Sequence, residues 1–239
     1  MNRLFLAIAI EIALNSLTLA HAGDQQHNLV IGAYGDSTTE GWTVDNGVGR
    51  RTSNNAERTL EISLRREFGD VVTVVNYGVG GTEAAELLRG GGAGSPASWA
   101  ERMARSPASI VLLNYGLNDA YYAQVQSAKA PQETAEQYAQ ILAQLAFIAR
   151  KAGKTVVLEE PNPTCNRIRE AALPSYIDAL RAMARRESIP LVSQYDFIRS
   201  LPAWTSLLGD CLHPNEALYN IKGRRTAEVL SPIVRQLLK

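Results

Sequence analysis

A three-layer α/β/α sandwich around a central, mostly parallel five-stranded sheet is the fold class this chain predicts. Three observations lead there. Short apolar, β-branched runs recur along the sequence, helical-period segments separate them, and 239 residues at 46% hydrophobic and 20% charged content suffice for one substantial core. The runs are Leu29-Val30-Ile31, Val71 to Val75, Ile110 to Leu113, Thr155 to Leu158 and Leu191-Val192. Continuous apolar runs suit strands buried on both faces, as in parallel sheets. Between them, Ala56 to Phe68 places Leu60, Leu64 and Phe68 on one helical face. Glu133 to Lys151 does the same with Tyr138, Ile141, Leu142, Leu145 and Ile148. Leu173 to Arg186 and Asn215 to Leu238 read as two further helices. Alternation of this kind implies right-handed crossovers. The run Gly90-Gly91-Gly92-Ala93-Gly94 reads as a flexible surface loop.

Charge and cysteine content narrow the function classes. Lys plus Arg number 24 and Asp plus Glu number 24, a formal net charge of zero. Proteins that coat nucleic acid or anionic membranes carry a basic excess, so neither partner is expected. Residues 1–22 carry Arg3, an apolar run from Leu4 to Ile10 and an Ala20-His21-Ala22 site, the pattern of a cleaved signal peptide. The run is too short and polar for a stable membrane span, which needs ~20 apolar residues. A leader over 1–22 and one domain over 23–239 follow, with a periplasmic or secreted location. In an oxidising compartment, Cys165 and Cys211 are expected to bridge. They are too few for a Cys-rich zinc module.

In an open parallel sheet, ligands gather at the carboxyl ends of the strands, so the residues there carry the functional reading. After the first strand comes Gly35-Asp36-Ser37-Thr38-Thr39-Glu40-Gly41, where a strand-to-helix turn can present the Ser37 hydroxyl. After the second comes Asn76-Tyr77-Gly78-Val79-Gly80-Gly81, whose glycines let backbone N–H groups approach a ligand. After the third comes Gly116-Leu117-Asn118-Asp119, where an amide could donate to a developing oxyanion. Near the end stands Asp210-Cys211-Leu212-His213-Pro214. An acid and an imidazole three residues apart can bond on one turn, the carboxylate fixing the tautomer. Of three histidines, His21 lies in the leader and His27 in a polar stretch, leaving His213 as the candidate base.

These four stretches, in this order, resemble the GDSL/SGNH hydrolase family. Gly35-Asp36-Ser37-x-Thr39-x-Gly41 is similar to its first block, which supplies the nucleophile, with Thr38 where the family name has leucine. Gly81 falls where the family places its oxyanion-hole glycine, with Gly80 as the adjacent alternative. Asn118 matches the asparagine that completes the hole, and Asp210 and His213 match the acid and base. The resemblance implies a flavodoxin-like SGNH fold. It also implies a serine esterase acting through an acyl-serine intermediate, with Ser37, Asp210 and His213 as the triad. The oxyanion donors would be Ser37, Gly81 and Asn118, with no metal or organic cofactor.

Other chemistries fit less well. Gly78-Val79-Gly80-Gly81-Thr82-Glu83 ends on Glu83 where a dinucleotide fingerprint needs glycine or alanine, and no phosphate-binding P-loop motif occurs. Ser37 does not stand in G-x-S-x-G, as an α/β-hydrolase would require. For the substrate, the polar loop Thr43 to Asn54, with Arg50 and Arg51, and the groups Tyr121, Tyr122 and Glu159 to Asn162 suit an acetylated carbohydrate. Ala120, Leu207 and Leu208 would instead border an acyl-chain groove. The expectation is an exported esterase for short acyl esters on a small molecule or polysaccharide. A lysophospholipase or thioesterase for longer chains, and a catalytically silent glycan-binding protein, are the alternatives.

Overall fold

In the computed structural model, which describes residues 28–90, 96–125 and 133–239, all five apolar runs become strands of one sheet. The leader 1–22, His21, His27 and the glycine run beyond Gly90 lie outside the described residues. The strands are β1 (Leu29–Gly35), β4 (Val72–Asn76), β5 (Ile110–Asn114), β6 (Thr155–Glu159) and β7 (Leu191–Val192). They stand in the order β4-β1-β5-β6-β7, every pair parallel. Alternation along each strand divides the core in two. Tyr34, Val111, Leu113, Val156 and Leu158 face one layer, whereas Ile31, Ala33, Ile110, Leu112 and Val157 face the other.

The first layer contains α3 (Ala84–Arg89), α4 (Trp99–Arg105), α5 (Leu117–Tyr122), α6 (Ala135–Lys151) and α7 (Arg167–Arg186). The second is built by α2 (Ala56–Phe68) and α9 (Glu216–Leu237), which cover the opposite face with Leu60, Leu64, Leu230 and Val234. The remaining helices are α1 (Ser37–Glu40) and α8 (Tyr195–Arg199). Strand order reverses about β1, with β4 on one side and β5 on the other. In open α/β sheets, ligands bind in the crevice at such a switch point.

Two expectations need correction. The segment Thr43 to Asn54 is not simply a polar loop: β2 (Trp42–Asp45) and β3 (Val48–Arg51) pair as an antiparallel hairpin. Its turn is Asn46-Gly47, both at positive φ (50° and 79°), the conformation a two-residue hairpin requires. Arg50 and Arg51 are solvent-exposed but ion-paired, Arg50 with Asp45 and Glu216 and Arg51 with Glu40. The helix expected over Leu173 to Arg186 starts at Arg167, where Asn166 accepts the Ile168 and Arg169 N–H groups as N-cap. Pro174 lies inside it.

Close packing of α2 on α9 depends on Gly223. A Cβ there would lie 2.3 Å from the Ala56 carbonyl oxygen and 2.6 Å from Thr59 Cβ. In an exposed helix, Gly→Ala gains ~1 kcal/mol of propensity. Here the overlap is with backbone, and overpacking typically costs ~1–3 kcal/mol. Gly223→Ala is therefore expected to lower stability by up to ~2 kcal/mol net in urea denaturation; a gain in stability would refute this account of the helix contact.

Candidate active site

The end of β1 turns sharply into the single turn of α1. Asp36 caps that turn, accepting the Thr38 N–H at 2.8 Å and the Thr38 hydroxyl at 2.9 Å. Gly35 is required by space, since a Cβ would lie 2.1 Å from Thr39 Oγ1 and 2.4 Å from the Asn114 carbonyl. Ser37, the first residue of the turn, therefore sits at the carboxyl edge of the sheet with its N–H at the helix start, where it has no intrahelical partner.

A second segment brings the imidazole. The Ser37 hydroxyl lies 2.9 Å from His213 Nε2, and His213 Nδ1 lies 2.8 Å from Asp210 Oδ2. The carboxylate accepts from Nδ1–H, which leaves Nε2 as an acceptor facing Ser37. Burial alone would raise the Asp210 carboxyl, but hydrogen bonds from the His213 N–H and ring and from the Leu212 N–H hold it below the usual carboxylate range. Trp42 meets the His213 ring edge-on, with centroids 6.5 Å apart.

This turn is pinned on both sides. Cys211 adopts φ 63° and forms a disulfide with Cys165, and its carbonyl accepts from the Cys165 N–H at 2.9 Å and from the Thr164 hydroxyl. Gly209 donates to the His213 carbonyl at 2.9 Å and packs on the hairpin, where a Cβ would lie 2.0 Å from the Val44 oxygen.

Facing Ser37 are the donors expected from the second and third strand ends. Gly80 and Gly81 both line the same cavity, but the Gly80 N–H already donates to Glu40 Oε2 at 3.0 Å. Gly81, at φ 77°, is the glycine whose N–H remains for a ligand. The Asn118 amide is fixed in orientation. Its Nδ2 donates to the Thr82 carbonyl at 3.0 Å, and its Oδ1 accepts from Arg169 Nη1 at 3.2 Å. The second N–H of that amide is thereby left for the cavity, whose volume is about 320 Å³. A larger open depression of about 750 Å³ lies between α2 and α9, but no histidine lines it. Among the described residues, no group of three His, Cys, Asp or Glu side chains is placed to hold a metal ion.

Several side chains expected at the substrate lie elsewhere. Glu159, Glu160 and Asn162 are buried in internal partnerships. Glu160 binds Arg181 at 2.6 Å and the Tyr195 N–H at 3.0 Å; Glu159 accepts from the Thr226 hydroxyl at 3.0 Å and lies 3.6 Å from Lys222 Nζ. Ala120 and Leu208 belong to the core and Leu207 packs against it; none lines the cavity. Tyr122 does line it, while Tyr121 lies under the Arg169 guanidinium. Glu40, Trp42, Arg169 and Leu212 complete the wall and went unrecognised in the sequence. Beneath the turn, burial pushes Asp36 and Glu159 up, and Glu57 to about 8, against the single cation Lys222. Chemically, the arrangement pairs a hydroxyl with an imidazole that a carboxylate holds in orientation, next to amide donors that could receive negative charge.

The family of GDSL-like lipases and acylhydrolases matches residues 33–221. No curated protein matches the chain in sequence. Among solved structures, an aryl esterase from M. smegmatis superimposes with a TM-score of 0.65 at 16% identity, over 85% of this chain and 99% of that one. A lipase/acylhydrolase from Enterococcus faecalis gives 0.65 at 17%, over 85% and 96%. A mutant acetyl-xylooligosaccharide esterase from Geobacillus stearmophilus gives 0.63 at 18%, over 84% and 94%. At these identities, the likeness is one of fold.

The cross-link closes a loop between positions 46 apart in sequence. On the chain-entropy account, such a loop contributes about 4 kcal/mol. The Cys165→Ser/Cys211→Ser double variant is expected to lose most of that in chemical denaturation. An unchanged midpoint would show that the bridge adds nothing to the hydrogen bonds around it.

Proposed function

The chain belongs to the GDSL-like lipase/acylhydrolase family, and from that premise we propose that it is an exported serine esterase that hydrolyses short-acyl carboxylic esters, such as O-acetyl groups on carbohydrate. The observation that carries this reading is the continuous chain from Asp210 through His213 to Ser37, with contacts of 2.8 and 2.9 Å, beside the donors of Gly81 and Asn118.

The chemistry follows from that geometry. His213 Nε2 takes the Ser37 proton as the oxygen attacks the ester carbonyl. Asp210 holds the ring and stabilises the imidazolium without itself being protonated. The Ser37 and Gly81 N–H groups and the free Asn118 N–H receive the oxyanion; one such donor is worth ~3–4 kcal/mol in the transition state. His213 then gives its proton to the leaving alkoxide, and the alcohol departs from the acyl-serine. In the second half, His213 removes a proton from water, and the resulting attack releases the acid and restores Ser37.

A short acyl group is favoured by the size and lining of the cavity. A volume of about 320 Å³, with Trp42 and Leu212 beside the polar Glu40 and Arg169, leaves room for a short acyl group. The fold shared with an acetyl-xylooligosaccharide esterase is consistent with acetyl removal from a sugar. Export is supported by the leader pattern of residues 1–22 and by the Cys165–Cys211 bridge, a bond that persists in oxidising compartments.

Two measurements test these statements. Turnover of p-nitrophenyl acetate, butyrate and octanoate should be highest for acetate, and Ser37→Ala should reduce it by at least ~10,000-fold. Equal background rates for both proteins would retire the enzyme in favour of a glycan-binding protein, and a maximum at octanoate would retire the short-acyl preference. For export, mass spectrometry of protein from the producing cell should find a chain starting at Gly23 outside the cytoplasm. An intact Met1 terminus retained inside would overturn it.

A further inference from the structure

The cavity wall carries a positive charge that acyl transfer to water does not require. Arg169 lines the cavity with Ser37, Gly81 and His213. Its Nη1 donates to the Leu117 carbonyl at 3.1 Å and to Asn118 Oδ1 at 3.2 Å, both neutral acceptors. Its face lies 3.9 Å over the Tyr121 ring. Among the described residues, no carboxylate forms an ion pair with it. Glu40, the acid in the same wall, is already taken by Arg51 and the Gly80 N–H. Burial lowers the Arg169 pKa, the direction expected of a partly desolvated cation.

The placement is unfavourable unless something uses it. Arg169 lies in the first turn of the 20-residue helix α7, where the helix dipole disfavours cations. Stacking and the Nη1 bonds fix the guanidinium plane, while the in-plane donors on Nε and Nη2 have no protein partner among the described residues. A held guanidinium with free in-plane donors matches the planar, bidentate geometry of a carboxylate or a phosphate.

Resting on the esterase reading, we propose that Arg169 is an anion-recognition element, and that the preferred ester carries an oxyanion, carboxylate or phosphate, near the scissile bond. A purely structural Arg169, propping Asn118, would affect charged and neutral esters alike. An anion-binding Arg169 changes their ratio.

Three matched pairs separate these cases and the two sources of charge. Mono-4-nitrophenyl succinate against its methyl ester places the charge on the acyl side. 4-Acetoxybenzoate against its methyl ester places a carboxylate on the alcohol side. 4-Acetoxyphenyl phosphate against its dimethyl ester places a phosphate there. The native protein should prefer the anion by about tenfold or more in kcat/KM in at least one pair, as a charge-assisted hydrogen bond warrants. Arg169→Gln should slow all esters through Asn118 and bring that ratio to within about twofold of one, with Arg169→Lys intermediate because it keeps the charge but not the fork. Ratios at or below one in every pair, or a ratio unchanged in Arg169→Gln, would overturn the proposal. If no ester, charged or neutral, is turned over faster than by Ser37→Ala, the esterase reading itself fails. The anion site is then read by calorimetric titration of succinate, 4-hydroxybenzoate and phenyl phosphate: heat lost in Arg169→Gln upholds it, and no heat from any of the three sinks it.

Discussion

Parallel pairing of β1 with β4 on one side and β5 on the other is the constraint from which the site follows. Parallel strands all end at the same edge, so the residues after Gly35, Asn76 and Asn114 arrive there together although the chain separates them widely. That edge places a serine hydroxyl, two glycine N–H groups and an amide within one small cavity. The imidazole and its carboxylate arrive from elsewhere. They are carried in by the turn before α9 and anchored against Val44 and Cys165. The Ser37–His213 contact, which joins positions 176 apart, is thus a consequence of sheet register plus one pinned turn.

Beneath the edge lies a layer of buried polar groups, linked by hydrogen bonds although Asp36 Oδ2, Glu57 Oε2 and Gln194 Oε1 have no partner among the described residues. Asn114 donates to the Glu160 carbonyl, Gln194 reaches Glu159 and the Lys222 carbonyl, and Lys222 sits among three acids whose carboxyls burial has raised. The layer supports Asp36, which in turn holds the one-turn helix that presents Ser37.

The sequence made the frame legible and much of the wall illegible, for identifiable reasons. Buried parallel strands are written as contiguous apolar runs, and all five could be read. Asp210 and His213 were legible because a spacing of three puts them on one turn. The hairpin carried a usable signal, Asn46-Gly47, that its polar flanks obscured. Arg169 was invisible: the buried face of α7 begins only at Ala172, and an arginine-rich first turn looks like solvated surface until its surroundings are known. Glu159, Glu160 and Asn162 misled for the opposite reason, since polar residues after a strand suggest a ligand, and their partners Lys222, Arg181 and Tyr195 are distant in sequence. Nothing local distinguishes a buried ion pair from an open one.

The disulfide has a consequence for how this architecture tolerates change. Cys165 precedes Arg169 by four positions, and Cys211 precedes His213 by two. One sulfur–sulfur bond therefore short-circuits the long excursion through α7, β7 and α8, giving two sides of the cavity a covalent path of a few residues. Insertions or drift within that excursion are insulated from the spacing between guanidinium and imidazole, so the outer helices of the molecule can diversify while the mouth of the cavity keeps its dimensions.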